Sequence, residues 1–470
     1  MSEVEQIISE LIGRARAAQA VADGYDQERV DELVAAAGWA ILEPERNQEL
    51  AQLAVQATGI GNVADKISKN HRKTLGLLRD IQGARSVGVI SEDPDKGLVE
   101  IARPVGVVCA VTPSTNPAAT PANKIINALK CRNAVVVAPS PKGWSTAERL
   151  VQFIHAQFDR IGAPRDLVQV LPHPISKQST AELMRQCDLV VATGSGANVR
   201  AAYASGTPAF GVGAGNVAGI VDESADILAA AERIVRSKTF DNATSCSSEN
   251  SIVVVAEVRE ALMAALAERG AVMLDAAQKQ RLQSLMWPDT HLSPAVIGHS
   301  AQDIAKQMSL EAARGQNIKV LMVEEDAQHG FGPQYPFSGE KLSPVLTVYT
   351  ASDFADAKRI VRAIYAHLGA GHSVGLHSAS DERALELGLS LPVARVIHNQ
   401  AHCIATGGSF DNGLPFSLSM GCGTWGKNNF SDNMNYQHYM NRTRVSRPIA
   451  PREASEAAIF GRFFERYGRA

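Results

Sequence analysis

The sequence predicts an α/β protein made of two doubly wound domains of the Rossmann type, together with a small β-hairpin. Two observations predict the paired domains: apolar runs of strand length alternate with amphipathic helices from Val105 to about Val221, and a second alternating series runs from about Ser224 to Pro415. A third observation adds an all-helical preface, because residues 1 to about 82 keep helical periodicity almost throughout.

A hairpin is expected directly after this preface. The strand-like runs Ser86 to Ser91 and Leu98 to Arg103 flank Asp93 to Gly97, whose Asp, Pro and Gly residues are typical of a turn. An outlying hairpin has unpaired edges that invite association. We therefore expect it to pair with another subunit.

The two alternating series supply the parallel sheets. In the first series, strands are expected at Val105–Val111, Ala134–Ala138, Leu167–Leu171 and Leu189–Ala192. In the second, they are expected at Ile252–Val255, Ile318–Val323, Leu346–Tyr349 and Val374–His377. The tail after Gly421 is too polar to form a core of its own, so it must lie on another domain or subunit.

Composition and charge narrow the class of protein. The chain has 470 residues, 45% of them apolar and 20% charged, so it can bury sizeable cores and divide into two or three domains. Its 46 basic and 49 acidic residues give a net charge of -3, which offers no electrostatic footprint for nucleic acid or for an anionic membrane. Small-molecule partners are therefore expected.

The cysteines and the apolar runs indicate a cytoplasmic protein. Six cysteines lie scattered without paired spacing and without a secretory segment, so we expect reduced thiols. The longest apolar runs, such as Val105 to Val111, are far shorter than a membrane span. The amphipathic start from Val4 to Ile12 is interpreted as the first helix of the fold rather than a targeting helix.

Two glycine-rich loops are candidates for binding a dinucleotide. Thr193 to Arg200 follows a strand and opens a helix, a context in which backbone N–H groups face a phosphate, although the third glycine of the standard fingerprint is absent. Gly211 to Asn216 is followed by another apolar run instead of a helix. Its flexible backbone is interpreted as letting the chain pass close to a ligand or to Cys246.

Cys246 is the candidate nucleophile. It lies in a loop of small polar residues, with Ser245, Ser247 and Ser248 beside it, and an apolar run begins at Ser251. A catalytic thiol needs space around its sulfur and neighbours that leave it accessible. The same pattern by itself also fits an inert loop cysteine.

Four co-linear segments resemble the aldehyde dehydrogenase superfamily, and within it the CoA-acylating branch. That branch contains acylating acetaldehyde and propionaldehyde dehydrogenases and the aldehyde half of bifunctional aldehyde/alcohol dehydrogenases. The segments, all within roughly residues 100 to 440, are Thr207 to Asn216, Ser237 to Cys246, Glu340 to Val345 and Met420 to Gly426. The helical preface and the hairpin fit the same architecture.

The resemblance implies a division of the chain and an oligomer. Residues 1–222 would hold the helical preface and the dinucleotide-binding domain, with the hairpin at 86–103 serving oligomerisation. Residues 223–415 would form the catalytic domain, and residues 416–470 a return segment and an oligomerisation tail. A homodimer or a homotetramer is expected.

The resemblance also assigns roles to individual residues. Cys246 becomes the nucleophile, and Asn116 becomes the side-chain donor of the oxyanion hole. Thiolate attack on an aldehyde creates an oxyanion that the Asn116 amide and the Cys246 backbone N–H would stabilise while hydride leaves. Glu340 matches the carboxylate that holds the nicotinamide ribose. The other residues expected around the dinucleotide are Thr112, Pro113, Ser140, Pro141, Gly194, Ser195, Gly213 and Pro344.

A missing carboxylate points to coenzyme A as cosubstrate. Hydrolytic members of the superfamily carry a water-activating glutamate upstream of the cysteine, and the matching position here is interpreted as Gly211. Without such a base the acyl thioester persists until a better nucleophile, such as the CoA thiol, attacks it. Glu249 would be an alternative base.

The expected dinucleotide is NAD or NADP, with NAD favoured. Many hydrolytic relatives carry a lysine after the second strand of the first sheet, where this chain has Ala138 to Pro141. No acidic residue between Pro139 and Gly143 would repel a 2′-phosphate, and Lys142 would attract one.

The expected substrate is a short aldehyde with a polar or anionic substituent. Thr244, His398, Asn399 and His402 are predicted to line its pocket, because the loops around Cys246 and around residues 405–408 are polar. Sulfoacetaldehyde, the substrate of one acylating subgroup that the chain resembles, is the leading candidate, with acetaldehyde and propionaldehyde as alternatives. The spacing of His398, His402 and Cys403 matches no standard zinc pattern, so no metal is expected.

Two other functions stay open at this point. A hydrolytic aldehyde dehydrogenase would release the free acid without any need for CoA. A non-catalytic nucleotide-binding protein on the same fold would need neither Cys246 nor Asn116.

Overall fold

The computed structural model describes residues 2–213, 215–310 and 317–469. The chain begins with the helical preface that the sequence predicts. Ser2, Asp26 and Asn62 accept hydrogen bonds from backbone N–H groups at helix starts, and Gly59 ends the third helix with a φ of 70°. The helices are α1 (Glu3–Asp23), α2 (Gln27–Leu42), α3 (Pro44–Thr58) and α4 (Val63–Ile81).

The predicted hairpin is confirmed and gains a third strand from the tail. Strands β1 (Gly88–Asp93) and β2 (Leu98–Pro104) pair antiparallel, and β15 (Met440–Ser446) pairs antiparallel with the other side of β2. The Asp93 side chain accepts a hydrogen bond from the Lys96 backbone N–H, which closes the turn. The last helix, α16 (Glu456–Tyr467), contains no buried residue.

The first parallel sheet is doubly wound, as predicted. Its strand order is β5-β4-β3-β6-β7, so the order reverses at β3 and opens a crevice beside the carboxyl ends of β3 and β6. The strands are β3 (Val107–Thr112), β4 (Ala134–Pro139), β5 (Val168–Val170), β6 (Leu189–Thr193) and β7 (Ala209–Val212). The helices are α5 (Ala119–Lys130), α6 (Trp144–Ile161), α7 (Lys177–Gln186) and α8 (Gly196–Tyr203).

The second parallel sheet has seven strands within the described residues, in the order β10-β11-β12-β9-β8-β13-β14. They are β8 (Val217–Val221), β9 (Glu249–Val255), β10 (Ala271–Met273), β11 (Val320–Glu324), β12 (Val345–Ala351), β13 (Val374–His377) and β14 (Val396–His398). The helices are α9 (Ile227–Thr239), α10 (Ala256–Glu268), α11 (Ala276–Met286), α12 (Ala301–Gln307), α13 (Phe354–His367), α14 (Asp381–Ser390) and α15 (His402–Ala405).

Strand β8 belongs to this second sheet, where it lies between β9 and β13. The sequence places the same run at the end of the first series, with a boundary at residue 222. The chain therefore changes sheet before β8, in the glycine-rich segment that follows β7. An apolar run that is buried on both faces does not report which sheet it joins, because that depends on pairing with distant strands.

The first part of the tail, up to Tyr439, packs where the sequence expects it, on another part of the chain. Phe430, Met434 and Tyr439 are buried in the core of the first sheet and the preface helices. No helix in the described part of the chain is long and apolar enough to cross a membrane.

Candidate active site

A cavity of about 430 Å³ lies between the two sheets. One wall comes from loops that follow β3, β6 and β7, and the other from loops that precede β9 and β12. The first wall contains Pro113–Asn116, Thr120, Thr193–Gly196 and Gly213. The second contains Thr244–Cys246, Glu340 and Leu342, and Leu418 and Met420 complete the lining. The cavity therefore lies at the switch point of the first sheet, where doubly wound folds bind ligands.

Cys246 is the accessible thiol of the chain. It is half-buried in the cavity wall, whereas the other five cysteines are buried. Burial, the nearby Glu340 carboxyl group and the Cys422 thiol raise the pKa of Cys246 to about 12. The group is therefore a neutral thiol at neutral pH, and it becomes a nucleophile only when its proton is removed.

The second glycine-rich loop passes close to Cys246, as predicted. A Cβ atom on Gly215 would lie 2.0 Å from the carbonyl oxygen of Cys246, a distance that excludes any side chain. The absent side chain lets the backbone of one wall approach the loop of the nucleophile.

Asn116 faces the same cavity from the end of the first sheet. Its backbone carbonyl accepts a hydrogen bond from Thr120 N at 3.3 Å at the start of α5. Its side-chain Oδ1 accepts a hydrogen bond from Lys69 Nζ at 2.8 Å, and its Nδ2 lies 3.5 Å from Thr115 Oγ1. The Nδ2 group has two N–H donors, so one donates to Thr115 Oγ1 and the other is left to donate to a group in the cavity.

Glu340 supplies a carboxyl group to the cavity. Burial raises its pKa to about 8, although a hydrogen bond from Gly215 N at 3.3 Å and the charge of Lys238 oppose that shift. A largely protonated carboxyl group at neutral pH both donates and accepts hydrogen bonds, which suits ribose hydroxyl groups.

The first wall presents backbone from two glycine residues to the cavity. Gly213 has open space where a Cβ would stand, and Gly194 has a φ of 155°, so both backbones face the cavity without side chains. Ser195 caps the start of α8 by accepting a hydrogen bond from Asn198 N, and Ser195 and Gly196 line the cavity at this helix start. Pro113, Gly194, Ser195, Gly213 and Glu340, all expected around the cofactor, line the cavity together.

Four other residues expected around the cofactor do not line this cavity. Thr112 and Ser140 lie side by side at the carboxyl ends of β3 and β4, where Ser140 N donates to Thr112 O at 3.0 Å, and Pro141 follows on the surface. They therefore extend the crevice away from Cys246. Pro344 is buried directly before β12.

The structure corrects the predicted aldehyde pocket. Thr244 lines the cavity, but His398 and Asn399 lie at the end of β14, where both hydrogen-bond to Ser378 O at 3.0 and 2.7 Å. Strands β8 and β13 separate β14 from β9, so His398 and Asn399 are distant from the loop of Cys246. The prediction for His398 and Asn399 was wrong because their distance from Cys246 depends on strand order, which the sequence does not report.

His402 lies behind the nucleophile loop rather than in the cavity. Its Nδ1 is 2.9 Å from the carbonyl oxygen of Ser247, an acceptor, so Nδ1 carries the proton. Burial lowers the pKa of His402 to about 4, and the ring is neutral at physiological pH. The histidine therefore supports the loop next to Cys246.

The structure also revises the argument from Gly211. A Cβ at this position would meet Val199 Cγ1 at 2.6 Å, so a side chain there would point into α8 and away from the cavity. The residue after β7 that lines the cavity is Gly213. The chemical conclusion is unchanged, because β7 and Gly213 contain no carboxylate.

Glu249, the alternative base, is buried at the start of β9 and does not line the cavity. Ser237 Oγ donates a hydrogen bond to its carboxylate, and burial raises its pKa to about 7. Water in the cavity therefore has no direct contact with this group.

Sequence reasoning missed a charged group behind the cavity wall. Lys66 and Lys69 of α4 are buried and both contact Asp241, which lies a few residues before Cys246. The signal was present, since α4 carries lysines at 66, 69 and 73 on one helical face, the spacing expected of core residues. Within residues 2–213, 215–310 and 317–469, no group of three or more His, Cys, Asp or Glu side chains is placed to hold a metal ion.

The family model, the relatives and the solved structure that this chain resembles are all aldehyde dehydrogenases. The sequence model of the aldehyde dehydrogenase family matches residues 3–414. An acylating sulfoacetaldehyde dehydrogenase from Cupriavidus necator is 62% identical over 99% of this chain and 94% of its own length. One from Bilophila wadsworthia is 42% identical over 98% of this chain and 99% of its own length. The crystal structure of an acetylating aldehyde dehydrogenase from Geobacillus thermoglucosidasius superposes with a TM-score of 0.91 at 33% identity, covering 96% of this chain and 99% of the other.

Proposed function

This chain belongs to the aldehyde dehydrogenase family, in its CoA-acylating branch, and we propose that it converts sulfoacetaldehyde, CoA and NAD(P)⁺ into sulfoacetyl-CoA, NAD(P)H and a proton. The observation that carries this proposal is the cavity that Cys246, Asn116 and Glu340 share. It joins a nucleophile, an oxyanion donor and a ribose-binding group in one space.

Cys246 and Asn116 perform the protein's part of the chemistry. The Cys246 thiolate attacks the aldehyde carbon, and the Asn116 amide donates a hydrogen bond to the oxygen that becomes negatively charged. When bound, the nicotinamide ring accepts the hydride and the CoA thiol accepts the acyl group. Between these events Cys246 Sγ holds the acyl group as a thioester.

The cavity wall favours thiolysis over hydrolysis. Glu340 is the carboxyl group among the described lining residues, and its pKa of about 8 leaves it mostly protonated at neutral pH. A protonated carboxyl group does not remove a proton from water, so the thioester persists until a thiol attacks it.

The dinucleotide lies along the first wall in this proposal. Pro113, Gly194, Ser195 and Gly213 face the nicotinamide half, and Glu340 holds its ribose. Thr112, Ser140 and Pro141 lie at the carboxyl ends of β3 and β4 and suit the adenosine half. Pro344 does not line the cavity; it is buried directly before β12, where its carbonyl oxygen accepts a hydrogen bond from Leu321 N at 2.9 Å. NAD is favoured over NADP.

Sequence similarity to known enzymes supports sulfoacetaldehyde as the substrate. Two relatives that align over nearly the whole chain carry this substrate in their names. The cavity adds hydroxyl groups from Thr115 and Ser245, which hydrogen-bond a polar substituent better than an alkyl chain. Of the residues first expected around the aldehyde, Thr244 stays in the cavity wall, with its hydroxyl hydrogen donated to Asp241, and His402 contacts the backbone carbonyl of Ser247 in the same loop.

Oligomerisation through the hairpin is part of the proposal. The sheet of β1, β2 and β15 has β1 and β15 at its edges, and most residues of both strands are exposed. Exposed strand edges pair readily with another chain. We propose that the chain forms a homodimer or a homotetramer through this surface. The proposed location is the cytoplasm.

A spectrophotometric assay tests the reaction. Purified protein is given NAD⁺ or NADP⁺, with and without CoA, and sulfoacetaldehyde, acetaldehyde, propionaldehyde or glycolaldehyde. We expect sustained reduction of the dinucleotide only with CoA, and the highest kcat/KM with sulfoacetaldehyde. A far higher kcat/KM with propionaldehyde would overturn the proposed substrate.

The same assay separates the alternatives. Turnover without CoA that releases sulfoacetate would indicate a hydrolytic enzyme with an unidentified base. No turnover with any aldehyde, combined with dinucleotide binding, would indicate a non-catalytic nucleotide-binding protein.

A further inference from the structure

We propose that Lys69 of α4 is a positioning residue for the oxyanion donor, because it fixes and polarises the side-chain amide of Asn116. This inference rests on the proposed function, in which Asn116 stabilises the oxyanion. Lys69 itself does not line the cavity. It acts through Asn116 from behind the wall.

The contact between the two side chains determines the orientation of the amide. Lys69 Nζ lies 2.8 Å from Asn116 Oδ1. An ammonium group only donates hydrogen bonds, so the oxygen of the amide must face it and the NH₂ group must face the other way. Asn116 lines the cavity, and the flipped orientation would direct its oxygen at the developing oxyanion and repel it.

The charge of Lys69 adds to this orientation. A cation hydrogen-bonded to the amide oxygen draws electron density away from the nitrogen and makes its N–H groups stronger donors. Lys69 is 5% exposed, so solvent screens this effect weakly. The stronger donor favours the charged transition state over the neutral aldehyde, and this difference accelerates the reaction.

Asp241 holds Lys69 in place. Its Oδ2 accepts hydrogen bonds from Lys69 Nζ at 2.5 Å and from Lys66 Nζ at 3.1 Å. Burial works against ionisation, but the charges of Lys69 and Lys66 hold the pKa of Asp241 below its ordinary value. The three groups carry one net positive charge, which lies next to the amide.

The same carboxylate connects Asn116 to the loop of the nucleophile. Thr244 Oγ1 donates to Asp241 Oδ2 at 2.9 Å, and Thr244 lies in the cavity wall beside Cys246. Asp241 to Ala243 have φ values of 51° to 59°, a strained backbone that brings the carboxylate under the wall. Gly61 leaves room for it, because a Cβ there would meet Asp241 Oδ1 at 1.9 Å.

Lys66 offers a matched comparison. It lies on the same helix, is 4% exposed, and contacts the same Asp241 oxygen. Its other partner is the backbone carbonyl of Thr115 at 3.0 Å rather than the Asn116 side chain. A purely structural role for the charged group predicts similar effects of removing either lysine.

The experiment compares Lys69→Met with Lys66→Met. Methionine keeps most of the side-chain volume, and the remaining lysine still pairs with Asp241 in each variant. We expect Lys69→Met to lower kcat about 10- to 100-fold, with KM for the aldehyde within about threefold, because loss of a whole oxyanion donor costs about 10²- to 10³-fold and Lys69 supports only its orientation and polarity. Lys66→Met should lower kcat markedly less at a similar thermal stability.

A double-mutant cycle with Asn116→Ala decides whether Lys69 acts through the amide. If it does, Lys69→Met should change kcat less than about twofold in the Asn116→Ala background. An equal loss in both backgrounds would overturn the proposal and indicate general disruption. So would an unchanged kcat in Lys69→Met when Asn116→Ala alone is strongly impaired. If Asn116→Ala has no effect, the oxyanion assignment in the proposed function fails instead.

Discussion

Asn116 and Cys246 line one cavity, although Asn116 follows a strand of the first sheet and Cys246 precedes a strand of the second. Neither sheet alone contains both residues, so the arrangement exists only when the two sheets are packed together. The charged group of Lys66, Lys69 and Asp241 lies at this junction and contacts both loops. The geometry of the site thus depends on how α4 joins the two halves.

Cys246 should be the first cysteine to react with iodoacetamide in the folded protein, since the other five are buried. With a pKa of about 12, its thiolate fraction should rise about tenfold per pH unit through the mildly alkaline range, and the alkylation rate should rise with it. Peptide mass spectrometry over a pH series measures this. Cys246→Ala should abolish aldehyde oxidation, whereas preferential labelling of another cysteine would contradict the assignment.

Glu340→Gln should weaken binding of the dinucleotide and speed the alkylation of Cys246. The Glu340 charge raises the pKa of Cys246, so its removal should lower that pKa and speed alkylation several-fold at a pH above about 8, where Glu340 is ionised. The loss of the carboxyl group should also raise KM for the dinucleotide. Alkylation kinetics and initial rates measure the two effects, and slower alkylation would contradict the electrostatic account.

Two glycines beside the cavity should respond differently to alanine. Gly211→Ala should destabilise the fold by about 1–3 kcal/mol, because the new Cβ would overlap Val199 Cγ1, which belongs to a stiff β-branched side chain in α8. Thermal unfolding checks this. Gly213→Ala meets open space, so its Tm should stay close to that of the parent chain, while KM for the dinucleotide rises. Equal Tm losses would contradict the geometry.

A chain that ends at Ala454, without α16, should keep its thermal stability within about 2 °C and retain its kcat, because α16 contains no buried residue. Differential scanning calorimetry and steady-state kinetics test this expectation. Size-exclusion chromatography of both chains is the companion measurement. A large fall in Tm together with a smaller oligomer would mean that α16 packs against another subunit.

The sequence by itself determined the fold class, the helical preface, the hairpin and eight of the strands in the two parallel sheets, together with the chemistry of the principal side chains. The helical preface, the hairpin and the alternating series appear where periodicity places them, because burial along one element repeats with the geometry of that element. Four co-linear segments, one of which ends at Cys246, also carried enough resemblance to indicate the family and its CoA-acylating branch.

The tertiary structure alone decided which of these residues meet. Strand β8 joined the second sheet, β14 carried His398 and Asn399 away from Cys246, and Gly211 turned toward α8 while Gly213 faced the cavity. Lys69 reached Asn116 only because α4 packs across the junction of the two sheets. Periodicity reports whether a residue is buried, whereas strand order and side-chain direction depend on pairing between segments far apart in the chain.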